Sequence, residues 1–140
     1  MGGFVSAREV QRQELDWGTL AWFSSPTSSG SENLVVLEVT LFPGCGHDFH
    51  QHPRQDESIY VIEGQVEQWV DRDRRVLEQG DSAFIKWGVV HASFNTSPQP
   101  AKLLAILGPC VGPEGYELLD MSAEAPWATL RPASPKRGSS

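Results

Sequence analysis

The sequence predicts an all-β fold, built as an antiparallel sandwich or a small barrel. Short segments of alternating apolar and polar residues recur along the chain, and turn residues separate them at close spacing. No segment shows the three- and four-residue apolar spacing of a convincing amphipathic helix. Many short strands joined by frequent turns are typical of sandwiches and barrels, whose strands pair with near neighbours.

Length and composition describe one ordinary globular domain. The chain has 140 residues, of which 39% are hydrophobic and 21% charged, as in typical globular proteins. Its formal net charge of −7 argues against a nucleic-acid partner, which would need a basic face. No apolar run approaches the roughly 18 residues that a transmembrane helix needs, and the N-terminus lacks a signal-peptide core. We therefore expect a cytoplasmic protein with no membrane partner and with both cysteines reduced.

The first third of the chain predicts an edge strand, a short strand and a long central strand. Residues 1–19 form a polar lead-in that contributes an edge strand, and residues 20–23 form a short apolar strand. The Ser-rich stretch 24–31 predicts a loop. The clearest strand is 33–42, because every second residue in it is aliphatic. One of its faces is lined by Val35, Leu37, Val39 and Leu41.

Further strands follow at close spacing, separated by turns that contain Gly, Pro or Asp. They are predicted at 47–52, 57–62, 65–70, 75–77, 82–85, 89–95 and 102–107. After Met121 the chain becomes rich in Ala, Pro and Ser, a composition that predicts a flexible tail. The domain prediction is therefore a lead-in at 1–19, a β-domain at 20–121 and a flexible C-terminal tail at 122–140.

Three of the four histidines belong to one pattern that predicts a metal site. His50 and His52 lie two residues apart in a predicted strand, so their side chains point to the same face. Glu57 follows closely, and His91 comes from a distant strand. Together they make a four-ligand N/O site that suits Mn, Fe, Co, Ni or Zn. His47 has the opposite parity and is not counted as a ligand, although a bulge near Gly46 would reverse this.

The same residues closely resemble the cupin superfamily. Its first motif, G(X)5HXH(X)3–4E(X)6G, is met at Gly44, His50, His52, Glu57 and Gly64. Its second motif, G(X)5PXG(X)2H(X)3N, is met at Gly80, Gly88, His91 and Asn95. Lys86 stands where the family usually has proline. The two motifs cover 44–95, and the flanking strands extend the likeness to about 20–107.

The resemblance implies a small single-domain barrel of the jelly-roll type, also called a double-stranded β-helix. It also implies a divalent transition metal held inside that barrel by His50, His52, Glu57 and His91. Proteins of this family and size are commonly homodimers, so a homodimer is expected. The resemblance does not fix the reaction, because the family includes oxygenases, isomerases and non-catalytic binders.

The residues around the predicted ligands supply candidates for substrate contact. Asp48 shares the parity of His50, so in a regular strand it would point inward and could orient a substrate or move a proton. A rim carboxylate in solvent is an equal alternative. The candidates for substrate binding are Tyr60, Trp69, Lys86, Ser93, Phe94 and Asn95. For the three aromatic residues core packing is the better interpretation, and for the asparagine a loop-holding role is. The lysine either attracts a carboxylate or phosphate or is simply solvated.

Three functions are compatible with such a site. The first is a metal-dependent enzyme on a small polar metabolite, which inserts oxygen into a diketone-type compound or isomerises a sugar or sugar acid. The second is a module that binds a small molecule without changing it, and the third is a structural metal. Because the ligands must be deprotonated, metal occupancy is expected to fall below about pH 6.

Overall fold

The computed structural model describes residues 2–131 and contains eleven strands and two short helices. The strands are β1 Arg12–Glu14, β2 Gly18–Ser24, β3 Val35–Leu41, β4 Gly46–Gln51, β5 Asp56–Glu63, β6 Val66–Val70, β7 Asp73–Leu77, β8 Ser82–Ile85, β9 His91–Phe94, β10 Ala101–Gly108 and β11 Leu119–Asp120. The helices are α1 Pro26–Ser29 and α2 Trp127–Leu130. These helices have four residues each, and no helix within 2–131 is long and apolar enough to cross a membrane.

The strands form two antiparallel sheets, which confirms the all-β prediction. Sheet A has the order β1-β2-β3-β10-β5-β8, and sheet B has the order β11-β4-β9-β6-β7. The predicted edge strand of the lead-in corresponds to β1, which pairs with β2 at the margin of sheet A. Successive strands such as β4 and β5 lie in different sheets, an arrangement consistent with a jelly roll.

The main core lies between the two sheets, and sheet A contributes most of its residues. Strands β3 and β10 alternate strictly between buried and half-buried residues, because one face of the sheet meets the core and the other does not. The buried set is aliphatic and consists of Leu20, Val35, Leu37, Val39, Leu41, Ile59, Val61, Val66, Leu77, Ile85, Ala101, Leu103, Ala105 and Leu107. Burial of this apolar surface is the principal favourable term that brings the sheets together.

The central strands of sheet B, β6 and β9, are buried on both faces. A second cluster of Phe49, Trp69, Val90, Ala92 and Phe94 lies on its outer face. Met121, Trp127 and Leu130 from the C-terminal segment pack on this cluster. Residues 122–131 of the predicted flexible tail therefore cover a sheet, since their apolar side chains have a surface to bury. The rest of that prediction, 132–140, lies outside the described residues.

An ionic contact fixes the end of this C-terminal segment. The Arg131 guanidinium lies 3.8 Å from the centroid of the Phe94 ring, and its Nε donates to Glu67 Oε2 at 2.5 Å. Trp69 Nε1 donates to the same carboxylate oxygen at 2.8 Å.

The predicted loop 24–31 contains the short helix α1, whose N-cap Ser25 accepts a hydrogen bond from Ser28 N.

Candidate metal centre

A bulge in β4 decides which side chains enter the barrel. His47 pairs with Ser93 and His50 with His91, so three residue steps on β4 match two on β9. The bulge begins beside Gly46, where a Cβ would lie 2.4 Å from the Ser93 carbonyl oxygen. The extra residue breaks the period-2 alternation, and both His47 and His50 line the internal cavity as a result.

The same bulge makes the expected inward orientation of Asp48 wrong. Asp48 is exposed and lines a groove outside the barrel, between sheet B and the C-terminal segment. One of its carboxylate oxygens accepts a hydrogen bond from Phe49 N at 2.7 Å. Parity was the only reason to place Asp48 near the metal ligands, so nothing in the geometry supports it as a catalytic group.

Three imidazoles converge where the sequence pattern placed them. His50 on β4, His52 just after β4 and His91 at the start of β9 each offer a ring nitrogen, and the three atoms lie within 4.8 Å of one another. All three side chains are buried. Three imidazoles at this spacing could hold a metal ion.

Each of these imidazoles has one nitrogen already committed to a backbone carbonyl. His50 Nδ1 lies 2.6 Å from the Asp48 oxygen, His52 Nδ1 lies 2.8 Å from the Glu117 oxygen, and His91 Nδ1 lies 2.9 Å from the Val89 oxygen. A carbonyl can only accept, so the proton sits on Nδ1 in every ring. Each Nε2 atom then carries a free lone pair, and this is the tautomer that a metal requires.

The Glu57 carboxylate faces these lone pairs from the opposite sheet. Its Oε1 lies 2.8 Å from His91 Nε2 and 3.2 Å from His52 Nε2. The three atoms are buried, and none of them has a hydrogen bond of good geometry. One proton on His91 would satisfy only one of these contacts. Buried acceptor atoms that face each other are unfavourable unless a cation lies between them, so the residues fit a divalent ion.

The electrostatics of the cluster keep the acid ionised. Burial acts to raise the pKa of Glu57, but the neighbouring His91 and His52 outweigh burial and hold the pKa well below its usual range. Burial also acts to lower the pKa of His91, yet the Glu57 charge raises it overall. His50 has no such partner, so burial and the other imidazoles lower its pKa. The carboxylate is thus ready to bind a cation.

His47 is a cavity residue that the parity argument left out. Its ring stacks on His50 with centroids 3.7 Å apart and on Trp17 with centroids 4.5 Å apart. Burial, reinforced by the nearby His91, lowers the pKa of His47 to about 3, so the ring is neutral at pH 7. Gly46 beside it was the signal for the bulge that turns His47 inward.

Tyr116 is the second cavity residue that the sequence did not reveal. It follows β10, lines the cavity and lies 5.1 Å from the His52 ring. Burial and the Glu57 charge raise the pKa of Tyr116, so its hydroxyl stays protonated. Gln55 holds this part of the chain, because its amide nitrogen donates to Pro109 and Gly115 carbonyls at 2.8 Å each. No sequence pattern predicts these long-range hydrogen bonds.

The other candidates for substrate contact separate into two groups. Ser93 lines the cavity. Asn95 is buried but donates to the Leu41 and Gln99 carbonyls, as expected for a residue that holds a loop. Outside the set of cavity-lining residues lie Tyr60, Trp69, Lys86 and Phe94. The alternation in sheet A turns Tyr60 outward, the outer cluster of sheet B takes Trp69 and Phe94, and Lys86 is exposed in a loop.

The cavity has a polar wall and an apolar wall. Sheet B contributes His47, His50, His91 and Ser93, and sheet A contributes Glu57 with Leu20, Leu37, Val39, Leu41, Ile59, Leu103 and Ala105. The cavity is partly open to solvent, and its volume of about 30 Å³ has room for an ion with one or two small ligands. Anything bound there meets ligand atoms on one side and methyl groups on the other.

The sequence between β3 and β10 matches a known family. Residues 37–107 match the model of the family described as Cupin domain. The chain belongs to the cupin family. This match spans both motifs and confirms the family resemblance drawn from their spacing.

Three bacterial proteins are similar to this cupin in sequence. An uncharacterised protein of Aquifex aeolicus is 34% identical over 75% of this chain and 78% of its own. Tetracenomycin polyketide synthase protein TcmJ of Streptomyces glaucescens is 28% identical over 75% and 70% of the two chains. Polyketide synthase CurC of Streptomyces cyaneus is 23% identical over 86% and 79%.

A solved structure supports the fold. KdgF from Halomonas sp. superposes with a TM-score of 0.70, covering 80% of this cupin and 97% of that chain at 20% identity. At this identity the likeness shows the jelly-roll architecture alone.

Proposed function

We propose that this cupin is a metal-dependent enzyme whose metal is held by His50, His52, Glu57 and His91 and whose substrate is a small dicarbonyl compound. One observation carries the proposal. The lone pairs of buried imidazole nitrogens and of a carboxylate oxygen face each other, and each Nδ1 donates a hydrogen bond to a backbone carbonyl. This ligand set suits Mn, Fe, Co, Ni or Zn.

A divalent ion bound there would supply Lewis-acid polarisation of a chelating carbonyl or hydroxyl oxygen. The protein's own residues do the rest. The aliphatic side chains of sheet A exclude water from the reacting part of the substrate. Tyr116 keeps its proton and can donate a hydrogen bond at the cavity, while His47 stays neutral and packs beside His50.

The apolar wall favours a diketone over a sugar. A sugar needs a partner for nearly every hydroxyl, since a buried hydroxyl without one is costly. Seven aliphatic side chains line the cavity on the sheet A side, and they offer no such partners. A β-dicarbonyl compound presents two oxygens on one edge and carbon on the other, which matches the two walls.

The relatives support the same substrate class. TcmJ and CurC are named as polyketide synthase proteins, and polyketides are built from repeated β-dicarbonyl units. Oxygen insertion and isomerisation through an enolate both begin with loss of the proton between the two carbonyls, which passes to water at the open side of the cavity. We favour the oxidoreductase, dioxygenase-like branch, because the apolar wall also admits O2.

The test uses pentane-2,4-dione as substrate and two readouts. Exchange of its C3 protons in D2O, followed by NMR, measures enolisation, and an oxygen electrode measures O2 consumption. Metal-loaded wild type should accelerate exchange, while His50→Ala and Glu57→Gln should lose most of the acceleration. Glu63→Gln, an exposed carboxylate on the same strand β5, is the matched control. Equal rates in Glu57→Gln and wild type would remove the metal from the mechanism.

The small volume of the cavity favours a second candidate function. About 30 Å³ accommodates an ion without any substrate, as a structural metal requires. In that case chelation should lower the melting temperature, whereas no dione should raise it or turn over.

The homodimer implied by the family resemblance is part of the proposal. Tyr60 and Phe84 expose 49% and 61% of their surface on the outer face of sheet A, and apolar side chains on an open sheet face are suited to a second copy. Sedimentation velocity of wild type and Phe84→Glu should show a dimer in the first and a monomer in the second.

A further inference from the structure

A pair of buried polar side chains beside the metal ligands sets the direction of a hydrogen bond. Ser93 on β9 and Gln68 on β6 are register partners in sheet B, and they expose 6% and 2% of their surface. The Ser93 hydroxyl donates to Gln68 Oε1 at 2.6 Å. Both residues face the barrel interior, and Ser93 lines the cavity that holds His50 and His91.

The orientation of the Gln68 amide is fixed by the backbone. Its Nε2 donates to the Trp69 carbonyl oxygen at 3.1 Å. Because a carbonyl accepts and cannot donate, the amide nitrogen must face Trp69 and the amide oxygen must face Ser93. If the amide were reversed, two oxygens would face each other on one side in a buried environment.

The direction of the bond at Gln68 determines what Ser93 can do. A serine hydroxyl has one proton and two lone pairs, and here the proton is used by Gln68. No other side chain of residues 2–131 donates to Ser93 Oγ. The lone pairs that remain make Ser93 an acceptor toward the cavity.

The position of Ser93 sets how far this acceptor lies from the metal ligands. Ser93 follows His91 by two residues on the same face of β9, a rise of roughly 7 Å along the strand. A ligand that chelates the metal through two carbonyl oxygens would reach the Ser93 oxygen with a group a few bonds away.

We propose that Ser93, held as an acceptor by Gln68, selects dicarbonyl substrates that carry a hydroxyl donor next to the chelating carbonyls. The inference rests on the proposed function, because it assumes that the substrate chelates the metal. Ser93 contacts the substrate, and Gln68 is a positioning residue that acts through Ser93. An oxo or ether oxygen at the same position would meet a second acceptor with no proton between them.

The experiment compares dissociation constants of Co(II)-loaded protein for four diones, measured by calorimetry. Pentane-2,4-dione is the chelating head alone, and 1-hydroxypentane-2,4-dione adds the donor. 1-Methoxypentane-2,4-dione and hexane-2,4-dione have no donor at that position. Wild type should bind the hydroxy compound about tenfold or more tightly than the last two, as expected for a buried acceptor that needs a partner.

The variants separate a hydrogen bond from other effects. Ser93→Ala should lose the preference for the hydroxy compound, and Ser93→Thr, which keeps the hydroxyl, should retain that preference. Gln68→Leu frees the Ser93 proton, so the hydroxy-to-methoxy ratio should fall toward one. Ser58→Ala, an exposed serine on β5, is the control, and metal stoichiometry and circular dichroism establish folding in each variant.

The outcomes distinguish this inference from the proposed function. If no dione, including pentane-2,4-dione, binds the loaded protein, the proposed function is overturned and the inference with it. If pentane-2,4-dione binds but wild type shows no preference for the hydroxy compound, only the inference is overturned. A preference that persists in Ser93→Ala would mean that the metal binds the hydroxyl, and it would also overturn the inference.

Discussion

The two sheets of the barrel bury their strands in different ways. In sheet A, β10 alternates between buried and half-buried residues along all eight positions, whereas in sheet B all four residues of β9 are buried. The difference arises because the C-terminal segment covers the outer face of sheet B. In sheet A burial therefore identifies the inner face, while in sheet B it does not.

The inner faces of the two sheets also differ in polarity. The interior side of sheet A is aliphatic apart from Glu57, while the interior side of sheet B carries His47, His50, His91 and Ser93. The aromatic residues of sheet B point outward instead. A sheet covered on both sides can thus place polar side chains inside the barrel and apolar ones outside, provided that something satisfies the polar set.

The largest expected effect comes from removing the metal that would satisfy that polar set. Stripping with a chelator should lower the free energy of unfolding by about 4 kcal/mol relative to protein with free metal at about 1,000 times its dissociation constant. This corresponds to a drop in melting temperature of roughly 10–15 °C, which differential scanning calorimetry measures. Identical melting of stripped and loaded protein would mean that sheet B needs no cation.

The aliphatic sheet supplies the control for this experiment. Leu107 is 1% exposed in the core of sheet A and does not line the cavity. Leu107→Ala should cost roughly 2–5 kcal/mol in stability, in loaded and stripped protein alike. The increment due to the metal should be unchanged.

The next effect concerns the bulge that orients the inner face of sheet B. In Gly46→Ala the new Cβ would lie 2.4 Å from the Ser93 oxygen and 2.5 Å from Phe94 Cδ1, so β4 must move away from β9. We expect a loss of roughly 1–3 kcal/mol from this overpacking. Metal affinity, measured by competition with a chelating dye, should fall as well because His50 and His91 lie on these two strands.

A glycine elsewhere tests whether the affinity change is specific. Gly80 has a φ of +92° and no neighbour within 4 Å of an added Cβ. Gly80→Ala should therefore lose stability through backbone strain, of order 1–3 kcal/mol, while binding the metal as wild type does. If both variants lost affinity equally, the register of β4 would not matter to the site.

The smallest expected effect tests the cover on the outer face of sheet B. Burial acts to raise the pKa of Glu67, but hydrogen bonds from Arg131 and Trp69 outweigh it, and the pKa lies below its usual value. In acid the unfolded chain therefore binds more protons than the folded chain. The stability that ionised Glu67 contributes is complete above about pH 4.3, and it is lost as the pH falls through the lower pKa of Glu67 in the folded protein.

Urea unfolding of metal-stripped wild type and Glu67→Gln at several values between pH 5 and pH 3 measures this contribution. Wild type should lose more stability over that interval than Glu67→Gln does. Glu63→Gln, an exposed carboxylate of sheet A, should follow wild type. Parallel curves for wild type and Glu67→Gln would show that the Arg131 contact does not hold the segment in solution.

Sequence periodicity predicted strands in both sheets, but it predicted side-chain orientation better in sheet A than in sheet B, for the same reason. The predicted strand 33–42 became β3 Val35–Leu41, and 102–107 lies within β10 Ala101–Gly108, because one buried face gives a clean alternation. Motif spacing was enough to collect His50, His52, Glu57 and His91 in one cluster. These contacts join residues that the family motifs already relate.

The remaining features depend on tertiary contacts that leave no periodic signal. The bulge after Gly46 reversed the orientation of Asp48 and His47. Trp127 lies in a Pro- and Ala-rich stretch whose composition predicts a flexible tail. Only the apolar outer face of sheet B, on which Trp127 packs, explains its position. The position of Tyr116 depends on the hydrogen bonds of Gln55, which is more than fifty residues away in sequence.

His52 donates a hydrogen bond to the Glu117 carbonyl, so part of the candidate metal centre lies outside the segment that matches the family. The family match ends at Leu107, yet the peptide group that sets the tautomer of one imidazole comes ten positions later. Arg54 anchors that stretch through an ion pair with Glu117 at 2.7 Å. A chimera that exchanged only the matched residues 37–107 between two such proteins would inherit the imidazole and lose its orienting carbonyl, so grafts should carry the sequence through Glu117.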